Sequence, residues 1–174
     1  MKTSSLLSAV EDVLQQGCAL LHSVSGETYA RKEDGPHGAS LGAHYRHVLD
    51  HFVCLLDGLE TRQIDYDQRR RNPEIENSVW EALFATEAVI ERFRRIPSDI
   101  FRSSCSVIYS VGYGENEAQA VSSNVAREVM FCVGHAIHHY AILKLIAAGR
   151  AVTLPYEFGV APSTLKHLAT RAAH

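Results

Sequence analysis

Six of the ten histidines in this 174-residue chain fall in two short stretches. One is Gly134-His135-Ala136-Ile137-His138-His139. The other, far upstream, carries His44, His47 and His51. His135 and His139 are four residues apart, so on a helix their imidazoles share a face, one turn apart. His138 points about 80–100° away from that pair. Two imidazoles buried side by side in an apolar helix cost on the order of several kcal/mol unless they are hydrogen-bonded or coordinated. Coordination uses their lone pairs directly, and neutral imidazole suits zinc, nickel or iron better than magnesium or calcium. A pair at this spacing can hold one divalent ion, and a third ligand from another helix fixes it.

Other candidate groups lie close by in sequence. Asp50, three residues after His47, is placed to orient an imidazole as an outer hydrogen-bond partner. Glu128 precedes His135 by seven residues, about 10 Å along a helix axis, too far to share an ion with both histidines. It suits the first turns of a helix, where the dipole favours a carboxylate, with a place at the mouth of a pocket as the second reading. Cys54 and Cys132 lie on the same sides of their helices as the histidines and read as buried thiols rather than ligands. Arg69, Arg70 and Arg71 sit in a connection dense in both signs of charge. Such a stretch is ordinarily solvated and salt-bridged, the alternative being an anion- or partner-binding cluster. No Ser-His-Asp order, phosphate loop or haem-attachment motif is present.

These residues must be positioned by helices. Leu6, Leu7, Val10, Val13, Leu14, Cys18 and Leu21 recur at spacings of three and four, which predicts a helix from residue 5 to about 24. Gly26 to Ser40 reads as a polar connection, with a short helical turn within Glu27 to Lys32. Ser40 can cap a second long helix running to about Arg62, whose apolar face is Leu41, Tyr45, Val48, Leu49, Phe52, Leu55, Leu56 and Leu59. His44, His47, His51 and Cys54 form a stripe flanking that face. After the charged connection Gln63 to Glu76, a third helix runs from about Ser78 to Ile96, and Pro97 stops it. The β-branched run Ser106 to Val111 and the turn-like Gly112 to Asn116 predict a short hairpin or extended crossover within residues 98–122. Ser122, Ser123 or Asn124 caps a fourth helix to about Ala148, with Gly149 as its stop. Because it is apolar nearly all round, it is expected to be central and buried. Ser163 can cap a short last helix. The expected fold is all-α: a four-helix bundle with a crossover between the third and fourth long helices that holds the hairpin.

Composition sets the wider frame. A chain of this length reads as one domain, residues 1–174, with 46% hydrophobic and 21% charged residues, an ordinary globular balance. A net charge of −3 gives no footprint for nucleic acid. No apolar run is expected to reach membrane-spanning length, and Glu11 and Asp12 break the apolar start too soon for a signal peptide. Four scattered cysteines without a CxxC suit reduced thiols, hence a cytoplasmic expectation.

Ser40-Leu41-Gly42 through His47-Val48-Leu49-Asp50, together with His135-Ala136-Ile137-His138-His139-Tyr140, resembles the DinB superfamily. The resemblance covers roughly residues 5 to 150. It implies a four-helix bundle with a three-histidine metal site. The first ligand lies in a Ser-hydrophobic-Gly-x-x-x-x-His-hydrophobic-x-Asp pattern on the second helix, and the other two form an HxxxH on the last bundle helix. The implied ligands are therefore His47, His135 and His139. This chain departs from the pattern in having His44 and His51 as well. On the helical wheel both lie nearer the apolar face than His47, so geometry alone favours His51 as third ligand. The resemblance favours His47 and leaves His51 as a substitute or outer partner. Some members of the superfamily are transferases or isomerases that use low-molecular-weight thiols such as mycothiol, bacillithiol or glutathione. A metal-dependent thiol transferase acting on a small electrophile is thus the implied activity. A non-catalytic, stress-related metal- or partner-binding bundle, such as a homodimer, is the second expectation.

Overall fold

Ser40 does what its position predicts: its hydroxyl accepts from the Ala43 amide at 2.9 Å and starts the helix that carries the upstream histidines. The computed structural model describes residues 5–33, 38–114 and 118–172. In chain order these form α1 (Ser5–Ser23), α2 (Gly26–Ala30), α3 (Leu41–Asp57), β1 (Gln63–Asp65), α4 (Pro73–Asn77), α5 (Val79–Arg94), β2 (Ser104–Ser110), β3 (Ala118–Asn124), α6 (Val125–Gly149) and α7 (Pro162–Ala172). The chain is mostly helical, with a small three-stranded sheet. Of the long helices, α3 packs against both α5 and α6, and α1 packs against the same two. The core between them includes Leu14, Leu21, Tyr45, Val48, Phe52, Phe93, Val129, Ala136 and Tyr140, all buried.

Several boundaries differ from expectation, each for a local reason. The second long helix stops at Asp57 rather than near Arg62. Gly58 closes it because the chain folds straight back: a Cβ there would lie 2.5 Å from the Gln63 carbonyl oxygen. The charged connection is not featureless. It contains β1, whose Ile64 is fully buried, and the short α4, opened by Asn72 and Pro73. β1 runs parallel to β2 with Ile64 opposite Val107, while β2 and β3 form the expected antiparallel hairpin, Ser104 opposite Asn124 and Ser110 opposite Ala118. Glu115 and Asn116 of the expected turn lie outside the described residues.

Of the three candidate caps for α6, Asn124 is the one used; its side chain accepts from the Arg127 amide. Gly149 is not the stop. It is the last helical residue, and the left-handed turn falls on Ala151, φ 56°. Likewise α7 begins at Pro162, so Ser163 lies inside it rather than capping it. The expectation that α6 is buried all round is also corrected. Its inner side, from Val125 and Glu128 through Cys132, Ala136 and Tyr140 to Ala147, is buried, but Met130 and Leu145 are largely exposed. By length and mean hydropathy α6 is apolar enough to cross a membrane, contrary to the sequence expectation, though here it packs along α1 and α3.

One glycine explains part of the upstream motif. A Cβ on Gly42 would lie 1.9 Å from the Glu76 carbonyl oxygen, so the first turn of α3 presses directly on the end of α4. That close approach is available to glycine alone.

Candidate metal centre

α3 and α6 lie against each other, and their histidine stripes meet. The Nε2 atoms of His47 and His135 are 3.1 Å apart. His139 joins them, its ring centroid 4.5 Å from that of His135 and 4.7 Å from that of His47. One ring nitrogen from each of His47, His135 and His139 can be chosen so that all three lie within 4.8 Å of one another. These three histidines can hold a metal ion.

The donor set fits a divalent ion. Neighbouring nitrogens bound at about 2.0–2.1 Å to one ion are roughly 2.8–3.4 Å apart, from the octahedral to the tetrahedral edge, and the His47–His135 pair falls within that range. Burial pushes the His47 and His135 imidazoles down to about 3, with the neighbouring histidines and Arg69 adding to it. His139 is held at about 4, first by burial and then by His44 and His138. All three are therefore neutral at physiological pH, with lone pairs available for coordination.

His51 is not in this trio. It is almost completely buried, and its Nδ1 donates to the His47 carbonyl oxygen at 2.8 Å. Its ring packs against His135, centroids 4.0 Å apart, and lies nearly parallel to Tyr66. The wheel position that favoured His51 carries it deeper into the core, while His47, on the flank, faces α6. His44 reaches the edge of the cluster, where its Nδ1 lies 3.3 Å from Nδ1 of His139. His138 is exposed and meets His139 only edge to face.

The two carboxylates are engaged elsewhere. Asp50 is buried and paired with Arg46 at 2.7 Å, and Arg46 also binds Glu76. Burial raises the Asp50 pKa, and the Arg46 guanidinium opposes the rise. Glu128 is fully buried and accepts from Tyr66 Oη at 3.0 Å, Ser123 Oγ at 2.5 Å and Arg127 at 2.8 Å. The side-chain hydrogen bonds of Asp50 and Glu128 thus go to Arg46, Tyr66, Ser123 and Arg127, none of them an imidazole. Cys132 is buried, its thiol pushed up to about 12 by burial, and Cys54 is raised to about 11 for the same first reason. Both are thiols at neutral pH and poor ligands in that form. All four cysteines are free.

Beside the cluster stand Tyr66 and Phe131, which the sequence did not single out, and Arg69, which it singled out only as part of the charged connection. Tyr66 follows the three-residue β1. Burial and the adjacent Cys132 and Glu128 raise its pKa well above the usual phenol range, so it stays a hydrogen-bond donor. Phe131 lies one turn before His135 and stacks on it, with centroids 5.8 Å apart. Arg69 donates to the Tyr66 carbonyl oxygen at 2.7 Å, and its charge reaches His47, His51 and His135. Arg70 instead pairs with Asp57 on the surface. Tyr66 and Phe131 are also walls of a cleft of about 340 Å³, closed by Val107, Tyr109, Val111 and Val121 of the hairpin region and by Arg127 and Glu128. The signal that could have found Phe131 is its spacing of four from His135. Tyr66 was hidden because β1 is too short to show a period.

No family model matches this sequence. FK506-binding protein 5 of Rhizopus delemar is 32% identical over 108 residues, 60% of this chain, but the match spans only 27% of that protein. Among solved structures, a DinB-like protein of Bacillus subtilis superposes with a TM-score of 0.65 over 89% of this chain and 98% of its own, at 14% identity. At that identity the likeness concerns the fold, and it spans nearly all of both chains. The chain has the fold of the DinB-like proteins.

Proposed function

We propose that this protein is a divalent-metal-binding protein whose ion is held by His47, His135 and His139. The observation that carries the reading is the convergence of these three neutral imidazoles from two helices. Packing of α1, α3, α5 and α6 supports reading the long helices as a four-helix bundle in one domain, with the sheet lying in the crossover. The ion fits zinc, nickel or iron.

The finer reading is a metal-dependent enzyme, in the first instance a transferase that joins a low-molecular-weight thiol to a small electrophile. Three neutral ligands leave an ion its full double charge and room for a further ligand, which lowers the pKa of a thiol or water bound there. The chain's own residues would supply the rest. Tyr66 and Phe131 wall the imidazoles on one side and line the adjoining apolar cleft, whose size suits a small organic molecule. Arg69 brings a positive charge to the same region, where it favours an anionic group. Buried hydrogen bonds from Tyr66 to Glu128 and from His51 to the His47 carbonyl hold these walls in place.

Conjugation of thiols such as glutathione, mycothiol and bacillithiol with a panel of small electrophiles tests this reading. The expected result is turnover that a chelator abolishes and added metal restores. Stoichiometric metal without conjugation of any thiol would favour the alternative, a non-catalytic metal-binding bundle.

A further inference from the structure

The three ligands account for His47, His135 and His139 but leave His44 without a role. His44 precedes His47 by three residues on α3, so the two project from the same side, one turn apart. Its Nδ1 lies 3.3 Å from Nδ1 of His139. A neutral imidazole carries one N–H and one lone pair, so across that contact one Nδ1 donates and the other accepts. With Nδ1 of His139 turned towards His44, the nitrogen left for an ion is Nε2, the same atom that His47 and His135 direct at each other. Ligation through Nε2 requires its lone pair. The His139 proton then resides on Nδ1 and is donated to Nδ1 of His44.

We infer that His44 is a positioning residue for His139: its Nδ1 accepts the outer N–H of that ligand and thereby sets both tautomer and ring orientation. Metal-bound histidines are commonly held in this way by a carboxylate, a carbonyl or water. Here an imidazole from the partner helix does so, and the carboxylates of Asp50 and Glu128 are occupied with other groups. α3 thus supplies one ligand, His47, and the support for another, His139. The inference rests on the three-histidine reading.

The test uses the full chain, stripped of metal and titrated with Co²⁺ while its visible absorption is followed. Zn²⁺ affinity is measured by competition with a chelating dye. His44→Phe and His44→Ala remove the acceptor, whereas His44→Asn keeps an acceptor oxygen near the place of Nδ1. The expected result is a roughly 10- to 100-fold loss of affinity in the Phe and Ala variants, near-wild-type affinity in the Asn variant, and Co²⁺ bands at unchanged positions in all three. In zinc-loaded wild type and His44→Asn, NMR should show a slowly exchanging His139 Nδ1 proton that is absent in His44→Ala. Unchanged affinity in both the Phe and Ala variants would overturn the inference, as would an Asn variant as weak as Ala. Altered Co²⁺ bands on loss of His44 would overturn it too, by making His44 a ligand. Failure of the underlying reading looks different: wild type would bind no Co²⁺, and His139→Ala would behave like wild type.

Discussion

At the scale of single residues, choosing among the upstream histidines is a matter of which side of α3 meets which neighbour. Nearness to the apolar face predicts burial, and it does so correctly for His51, which is almost inaccessible and bonded to its own helix. It does not predict coordination, because a ligand must face the partner helix rather than the core. His47, on the flank, lies with its Nε2 against that of His135. His47→Ala is therefore expected to abolish stoichiometric metal binding. His51→Ala should retain it, with affinity reduced by at most the roughly 10- to 100-fold typical of outer partners. Metal analysis after dialysis checks both, and the reverse order would reassign the third ligand. The HxxxH pair was legible from spacing alone, since four residues on a helix leave no freedom of face. The partners of Asp50 and Glu128 were not, because they depend on Arg46, Tyr66, Ser123 and Arg127, brought in by tertiary packing.

At the scale of elements, periodicity located the four long helices, and capping residues located the starts of α3 and α6. Ser40 and one of the three α6 candidates, Asn124, cap where they were expected, and Ser78, expected as the start of the third long helix, is its cap. What was illegible has a common cause. β1 has only three residues, with a single buried side chain, Ile64, and exists because β2 offers it a parallel edge. A strand that short carries no detectable period. α6 ends within a residue of its expected end, and only its left-handed turn falls elsewhere, at Ala151. The end of α3 was misjudged because a backbone approach, not helix propensity, stops it: Gly58 against Gln63. Gly42 is the sharpest case of such an approach. Gly42→Ala forces α3 off the Glu76 carbonyl and should destabilise the fold by about 1–3 kcal/mol or more, read as a lower urea midpoint. Because the same turn leads into His44 and His47, metal affinity should fall as well. An unchanged midpoint would show that the α3–α4 contact is looser than the 1.9 Å approach to the Glu76 carbonyl oxygen implies.

At the scale of the whole molecule, several partly buried imidazoles held neutral make stability depend on pH when no metal is bound. His47, His135 and His139 titrate at about 3, 3 and 4 in the metal-free fold, against about 6.5 in an unfolded chain. Between those values the unfolded chain takes up protons that the folded chain refuses, so unfolding gains as pH falls from about 6.5 towards 3–4. The metal-free protein should melt at progressively lower temperature from pH 7 to pH 5, and the dependence should be shallower in His135→Phe. Solvent at the cluster's edge moderates the effect without changing its sign. Equal slopes in wild type and His135→Phe would mean that the cluster is more hydrated than its packing indicates. In the metal-loaded protein the slope should steepen, because protons and the ion compete for the same lone pairs.

Everything proposed for this molecule depends on two helices from opposite halves of the chain meeting to hold a metal ion. Elemental analysis of protein purified without a histidine tag tests it most directly. The predicted result is about one zinc, nickel or iron per chain, lost in each of His47→Ala, His135→Ala and His139→Ala while the helical circular dichroism is kept. Native protein that contains no metal, takes up none when it is offered, and is no less stable for the lack would contradict it.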